Sequence, residues 1–115
     1  MLLFTPRDHH PSEAFVCETE RLARLVADME RIRHGDLPQV LAGGEDAPIL
    51  DRWTLSHRPA LCLAGLSTGH PRLAGVNRAI ATSDVWLMSE DRTWARTLSR
   101  WYRLGRPAEQ SGPDA

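Results

Sequence analysis

Residues 93–105 read TWARTLSRWYRLG, and two folds compete for them. At helical spacing, Trp94, Leu98, Trp101 and Leu104 make one apolar face, while Arg92, Arg96, Arg100 and Arg103 line the opposite one. Ser89 is placed to cap such a helix and Gly105 to end it, so periodicity alone reads as helix. The preceding stretch has a different rhythm. In Ala79–Met88, AIATSDVWLM, Ile80 and Thr82 alternate before Asp84, and the β-formers Val85 and Trp86 follow. This reads as a strand with a bulge at Ser83–Asp84, followed by a turn at Ser89-Glu90-Asp91-Arg92.

Working towards the N-terminus, Gly69-His70-Pro71 and Gly75-Val76-Asn77 mark turns. Residues 49–66 carry apolar residues punctuated by Gly, Pro and small side chains, a composition that predicts short strands over a long helix. Residues 35–48, GDLPQVLAGGEDAP, form a connector in which Asp36 caps a short turn, Pro38 sits near its start and Gly43–Gly44 ends it. From about 12 to 34 the pattern is helical. Leu22, Leu25, Val26, Met29 and Ile32 share one face, Ser12 is the N-cap, Arg31, Arg33 and His34 sit at the negative end, and Gly35 supplies the stop. Glu20 and Arg24 are spaced as an ion pair. Leu22, Leu25, Met29 and Ile32 are expected to be buried against the second half. Met1–Phe4 is expected to dock as a short strand or loose cover, and a disordered tail is expected over 108–115.

The chain has 115 residues, 42% hydrophobic and 25% charged, which suits one globular domain, set at 1–107, and excludes wholesale disorder. No apolar run approaches the ~20 residues of a membrane span. All fourteen basic residues are arginine, each a planar fork suited to carboxylate or phosphate. The net charge of −1 hides an asymmetry: residues 1–51 carry five Arg against ten acids, and residues 52–106 carry nine Arg against Asp84, Glu90 and Asp91. Either the halves neutralise each other or the basic half faces an anionic partner. Two cysteines are too few for a disulfide framework, and the N-terminus lacks the pattern of a signal peptide, so a cytoplasmic location is expected.

Three segments, GHPRL at 69–73, TSDVW at 82–86 and WARTLSRWYRLGRP at 94–107, resemble those of a family of short bacterial proteins of unknown function. Members of that family join a helical N-terminal part to this Trp- and Arg-rich module. The module is also similar to a looser pattern in small bacterial and phage proteins, in which a closing T-x-S-x-x-Y-x-L-G segment forms a strand, a tight turn and a short strand. Thr97, Ser99, Tyr102, Leu104 and Gly105 match it, with Arg100 where a turn glycine often sits. The resemblance covers about residues 49–107. It implies strands over 93–105 and brings no activity, cofactor or catalytic residue.

Other constellations are weaker. His57, Cys62 and His70 lack the four-ligand rhythm of a zinc site, so no metal and no cofactor are expected. Cys62 lies in ALCLAGL, whose apolar setting favours an inert core thiol over a nucleophile. Asp84, Glu90 and Asp91 read as surface acids in ion pairs and not as an acid–base pair. The four tryptophans read first as core. The feature with the clearest functional chemistry is the run Arg96, Arg100, Trp101, Tyr102, Arg103 and Arg106, in which guanidinium forks interleave with aromatic rings. The competing reading has these arginines stacked on tryptophan and paired with the acidic N-terminal helix. The sequence thus predicts an α+β fold, an N-terminal amphipathic helix packed on a small antiparallel sheet or partly closed barrel. It suggests a non-catalytic interaction or regulatory protein that uses the Arg/Trp module to hold an acidic protein surface. The alternative is a nucleic-acid-binding accessory protein of a mobile element. Neither reading involves a membrane, and the oligomeric state is left open.

Overall fold

The structure, a computed structural model, describes residues 1–108. The chain divides into two compact units, one formed by residues 10–57 and the other by residues 1–9 together with those from Arg58 onward. Its architecture is α+β, with an N-terminal helix and a mixed five-stranded sheet that does not close.

In the unit of residues 10–57, α1 runs Glu13–Arg33. The local signals act as the sequence implies. The Ser12 hydroxyl accepts the Phe15 N–H, Glu13 sits at the positive end, Arg31 and Arg33 sit at the negative end, and Gly35 adopts a φ of 91° where the chain turns away. The ion pairs are Glu18–Arg21 (3.1 Å), Glu30–Arg33 (2.7 Å) and Arg31–Asp36. The expected Glu20–Arg24 pair is not formed, and Asp36 pairs with Arg31 instead of capping the next turn. That turn, α2 (Pro38–Leu41), takes Leu37 as N-cap with Pro38 in its first turn. Within its own unit the α1 stripe is not covered. Leu25 is 55% exposed and Met29 61%, and no α1 residue is buried. Periodicity shows which face of a helix is apolar; it does not show what covers that face.

The other unit is the sheet. It comprises β1 (Leu2–Phe4), β2 (Cys62–Ser67), β3 (Arg78–Ser89), β4 (Trp94–Thr97) and β5 (Trp101–Arg103). The long β3 organises it. Its first half pairs antiparallel with β2, and the register slips between Ala81 and Asp84, around the expected bulge. Its second half pairs antiparallel with β4, with a second irregularity between Val85 and Leu87, and β4 pairs antiparallel with β5. The expectation of an all-antiparallel sheet or partial barrel needs one correction. Met1–Phe4 does dock as a strand, but parallel to β3, with Leu2 opposite Leu87 and Phe4 opposite Ser89. The dock is fastened by the Glu90 N–H to the Phe4 carbonyl (2.9 Å) and by the Thr5 hydroxyl to Glu90 Oε2 (2.8 Å).

Residues 49–61 form no strand. Pro48 and Pro59 remove backbone donors, and Arg52 has a left-handed φ of 51°, so regular pairing begins only at Cys62. Among the described residues, the buried side chains are Val85, Ala95, Ser89 and Thr97, all at the β3–β4 junction. Cys62 is exposed, contrary to its reading as a core thiol. Of the tail expected over 108–115, residues 109–115 lie outside the described residues. No described helix is long and apolar enough to cross a membrane.

Candidate functional site

The Arg/Trp run folds as the resemblance implies, not as its helical periodicity suggests. What decides it is how the turns are closed. The buried Thr97 hydroxyl accepts the Ser99 and Arg100 N–H groups (both 3.2 Å), and the Thr97 N–H donates to the Arg100 carbonyl (2.9 Å). A side chain therefore closes the β4–β5 turn. Arg100 is not among the residues with positive φ, so no glycine is needed there and an arginine occupies the corner. At the preceding turn the buried Ser89 hydroxyl accepts the Thr93 and Trp94 N–H groups (3.2 and 3.0 Å) and donates to Asp91 (2.7 Å). Asp91 in turn accepts from Thr93. Donors converging from Thr93 and Ser89 hold the Asp91 carboxyl below its ordinary value. A Ser83–Ser99 hydroxyl contact of 3.0 Å ties the hairpin back to β3.

Closed this way, the hairpin sorts its side chains by face. Trp94 lies opposite Arg103 and Arg96 opposite Trp101, so each tryptophan faces an arginine across the strand pair. Trp94 and Trp101 meet edge-to-face at 6.4 Å between centroids, and Phe4 meets Trp101 in the same manner at 5.9 Å. Trp94 is 42% exposed and Trp101 49%, which overturns the core reading for both. Trp53 is exposed as well. Trp86 is half-buried, and its indole Nε1 is buried without a partner. Tyr102, opposite Ala95, points to the other face and lies 6.2 Å from His70.

His70 explains the GHPRL turn. Its Nδ1 accepts the Arg72 and Leu73 N–H groups (3.0 and 3.1 Å), which leaves Nε2 as the protonated nitrogen. Desolvation, followed by the charges of Arg100, Arg72 and Arg78, lowers the His70 pKa from its ordinary 6.5. A lowered folded pKa favours the neutral ring. The turn thus has its full stability above pH 6.5 and loses it as pH falls through the lowered value. In an NMR titration the His70 ring protons are expected to shift with a midpoint below 6.5, and the Arg72 and Leu73 amides to exchange faster at the acid end.

Around the β5 edge these groups enclose an open groove of about 540 Å³, within the range of ligand clefts. Of the six residues singled out by sequence, Arg100, Trp101, Tyr102 and Arg103 line it, whereas Arg96 and Arg106 do not. Sequence reasoning did not select Trp94 or His70, which also line it. The signal for Trp94 lay in the hairpin register, since a residue paired with Arg103 shares its face. The lining contains no carboxylate, and among the described residues Arg96, Arg100, Arg103 and Arg106 form no ion pair. Within the sheet unit, no described carboxylate pairs with these arginines. No group of three His, Cys, Asp or Glu among the described residues is arranged to hold a metal.

A family model for a family of unknown function, DUF6634, matches residues 14–112. The chain belongs to this family. No curated protein and no solved structure matches it. The matched span contains all of α1 but Glu13 together with the hairpin, so the helix and the Arg/Trp module fall in one family match. In this member the residues carrying the resemblance divide by role. Thr97, Ser99 and His70 close turns, while Trp101, Arg100 and Arg103 face the groove.

Proposed function

We propose that the protein is a non-catalytic binding module whose β5-edge groove holds an acidic segment of a partner protein. The observation that carries this is the groove's composition, in which Arg100 and Arg103 stand beside Trp94, Trp101 and Tyr102 with no carboxylate in the lining. Guanidinium forks hold carboxylates bidentately, and half-exposed tryptophans beside arginine supply the apolar contact of a binding hot spot. A non-catalytic role is favoured because the imidazole Nδ1 of His70 is already occupied by two backbone N–H groups and no carboxylate or thiol lines the groove to work with it. A protein partner is favoured over a nucleic acid because Trp101 is engaged by both Phe4 and Trp94, which reduces the ring face available to a base.

The test is titration of the full chain with a short polyglutamate peptide and, separately, with single-stranded DNA, read by tryptophan fluorescence at low and high salt. Saturable quenching by the peptide is expected, weakening with salt as the exposed guanidinium–carboxylate contacts are screened. Binding of DNA alone, with an affinity falling by a log–log slope of about 0.7 per phosphate contacted, transfers the groove to the nucleic-acid reading. No response to either probe refutes an anion-binding groove.

A further inference from the structure

The groove borders a free edge of the sheet. β5 ends the strand order and pairs only with β4. The direction of its backbone groups follows from the two ends of that pairing. The Thr97 N–H donates to the Arg100 carbonyl (2.9 Å), and the Leu104 N–H donates to the Thr93 carbonyl (2.8 Å). In an antiparallel ladder, hydrogen-bonded pairs alternate with non-hydrogen-bonded ones. Ala95–Tyr102 is therefore the hydrogen-bonded pair between those two ends, and Trp101 and Arg103 turn their N–H and C=O groups away from β4. Among the described residues, none hydrogen-bonds to these four groups. The groove lining continues from this edge through residues 66–71, and all of it belongs to the sheet unit.

We propose that an acidic segment of a partner protein binds here as an added strand, its backbone paired with the outward groups of Trp101 and Arg103. This mode of binding rests on the function proposed for the groove. Two donors and two acceptors, repeated at a spacing of ~7 Å, match alternate residues of one extended chain. Charge then selects the occupant. Side chains directly opposite one another share a face, so the residue added opposite Arg103 stands beside its guanidinium. Arg100 stands at the corner just before β5. Carboxylates on the added strand are met by these two forks. A second β5 would instead bring the arginines of two copies together with no carboxylate in the lining. An unpaired edge accepts strands in general, and like charge is one of the devices that excludes the wrong ones.

The test follows amide hydrogen exchange in the full chain, free and saturated with the polyglutamate peptide. The Trp101 and Arg103 amides are expected to exchange fast in the free chain and at least about tenfold slower in the complex, as their N–H groups gain partners. The Tyr102 amide, already paired with Ala95, is expected to be slow in both. A second measurement compares the peptide with an analogue of equal charge in which esters replace the amides, removing the N–H donors without adding bulk. The analogue is expected to bind about 10- to 100-fold more weakly. Saturable binding without slowing at Trp101 and Arg103, or equal binding of peptide and ester analogue, overturns strand addition and leaves the anion-binding groove standing. Slow exchange of both amides in the free chain shows the edge already taken, by a second copy or by residues of the same chain, and overturns it too. No binding of polyglutamate refutes the groove's proposed function and strand addition with it.

Discussion

Replacing Arg100 and Arg103 together by alanine is expected to weaken capture of an acidic partner by about 30- to 150-fold while moving the thermal midpoint little. Each exposed guanidinium–carboxylate contact contributes on the order of 1–1.5 kcal/mol, so two give about 2–3 kcal/mol, with each 1.4 kcal/mol a factor of ten in affinity. The fold has little stake in either side chain. Among the described residues neither arginine forms an ion pair, and the hydrogen bonds around them that close the hairpin use backbone groups and Thr97. The variant carries its own internal check. The Arg100 charge helps hold His70 below its ordinary value, so its removal is expected to raise the His70 titration midpoint. Isothermal titration with the acidic peptide, a thermal melt and a histidine titration together decide the matter. A variant that unfolds makes the arginines structural, and one that binds normally moves the contact surface elsewhere.

The hairpin shows where reading the sequence by period stops. Residues 93–105 satisfy a helical period because Trp94, Leu98, Trp101 and Leu104 are correctly spaced for one. Turn chemistry wins over period here. Thr97 accepts two backbone N–H groups at the β4–β5 corner, and Ser89 accepts two more at the β3–β4 corner, commitments a helix cannot use. Thr97 belonged to a segment that carried the family resemblance, which is why the resemblance implied strands when periodicity did not; Ser89 lay between two such segments. For α1 the balance was reversed. Ser12, Gly35 and the apolar stripe were sufficient to place the helix to within a residue at each end. What covers its stripe was not legible, because the cover of a helix face is a tertiary property.

The candidate site was half legible for a related reason. A cluster of arginines and aromatics in one run is visible by composition, and four of its six members reach the groove. Arg96 shares the face of Trp94, Trp101 and Arg103 yet does not line the groove, and Arg106 lies beyond the end of β5. Trp94 and His70 enter from a paired strand and a distant turn, positions that become neighbours only once the register is known. The parallel seat of β1 was also invisible, since three apolar residues carry no directional signal, yet it brings Phe4 onto Trp101 and helps fix the groove wall.

Ser89→Ala is expected to be the most damaging single substitution, costing about 2–4 kcal/mol. That is a large share of the roughly 5–15 kcal/mol a domain has. The hydroxyl is fully buried, at 0% exposure, and the Trp94 N–H has no other side-chain acceptor there. A part-buried donor that loses its acceptor costs up to about 1–3 kcal/mol, and the lost bond to Asp91 adds to it. The Thr93 N–H keeps Asp91 at 3.1 Å and so limits the damage. Thr97→Val, which keeps the side-chain shape and removes its hydroxyl, is expected to cost less, about 1 kcal/mol. Ser99, one of the two residues it orphans, is exposed, and water can replace the lost acceptor. The order Ser89→Ala worse than Thr97→Val, with Thr97→Ser near wild type, is read from urea midpoints at constant slope. Asp91 adds a pH signature. Its carboxyl is held below 3.8, so its contribution is present above that value and is lost as pH falls through the lowered one. Ser89→Ala removes one of the bonds responsible, so the variant loses less additional stability on acidification than the wild type does. Equal acid sensitivity in the two proteins would show that Asp91 is held by the Thr93 donors alone, and an unchanged urea midpoint would refute the Ser89-centred turn as the hairpin's anchor.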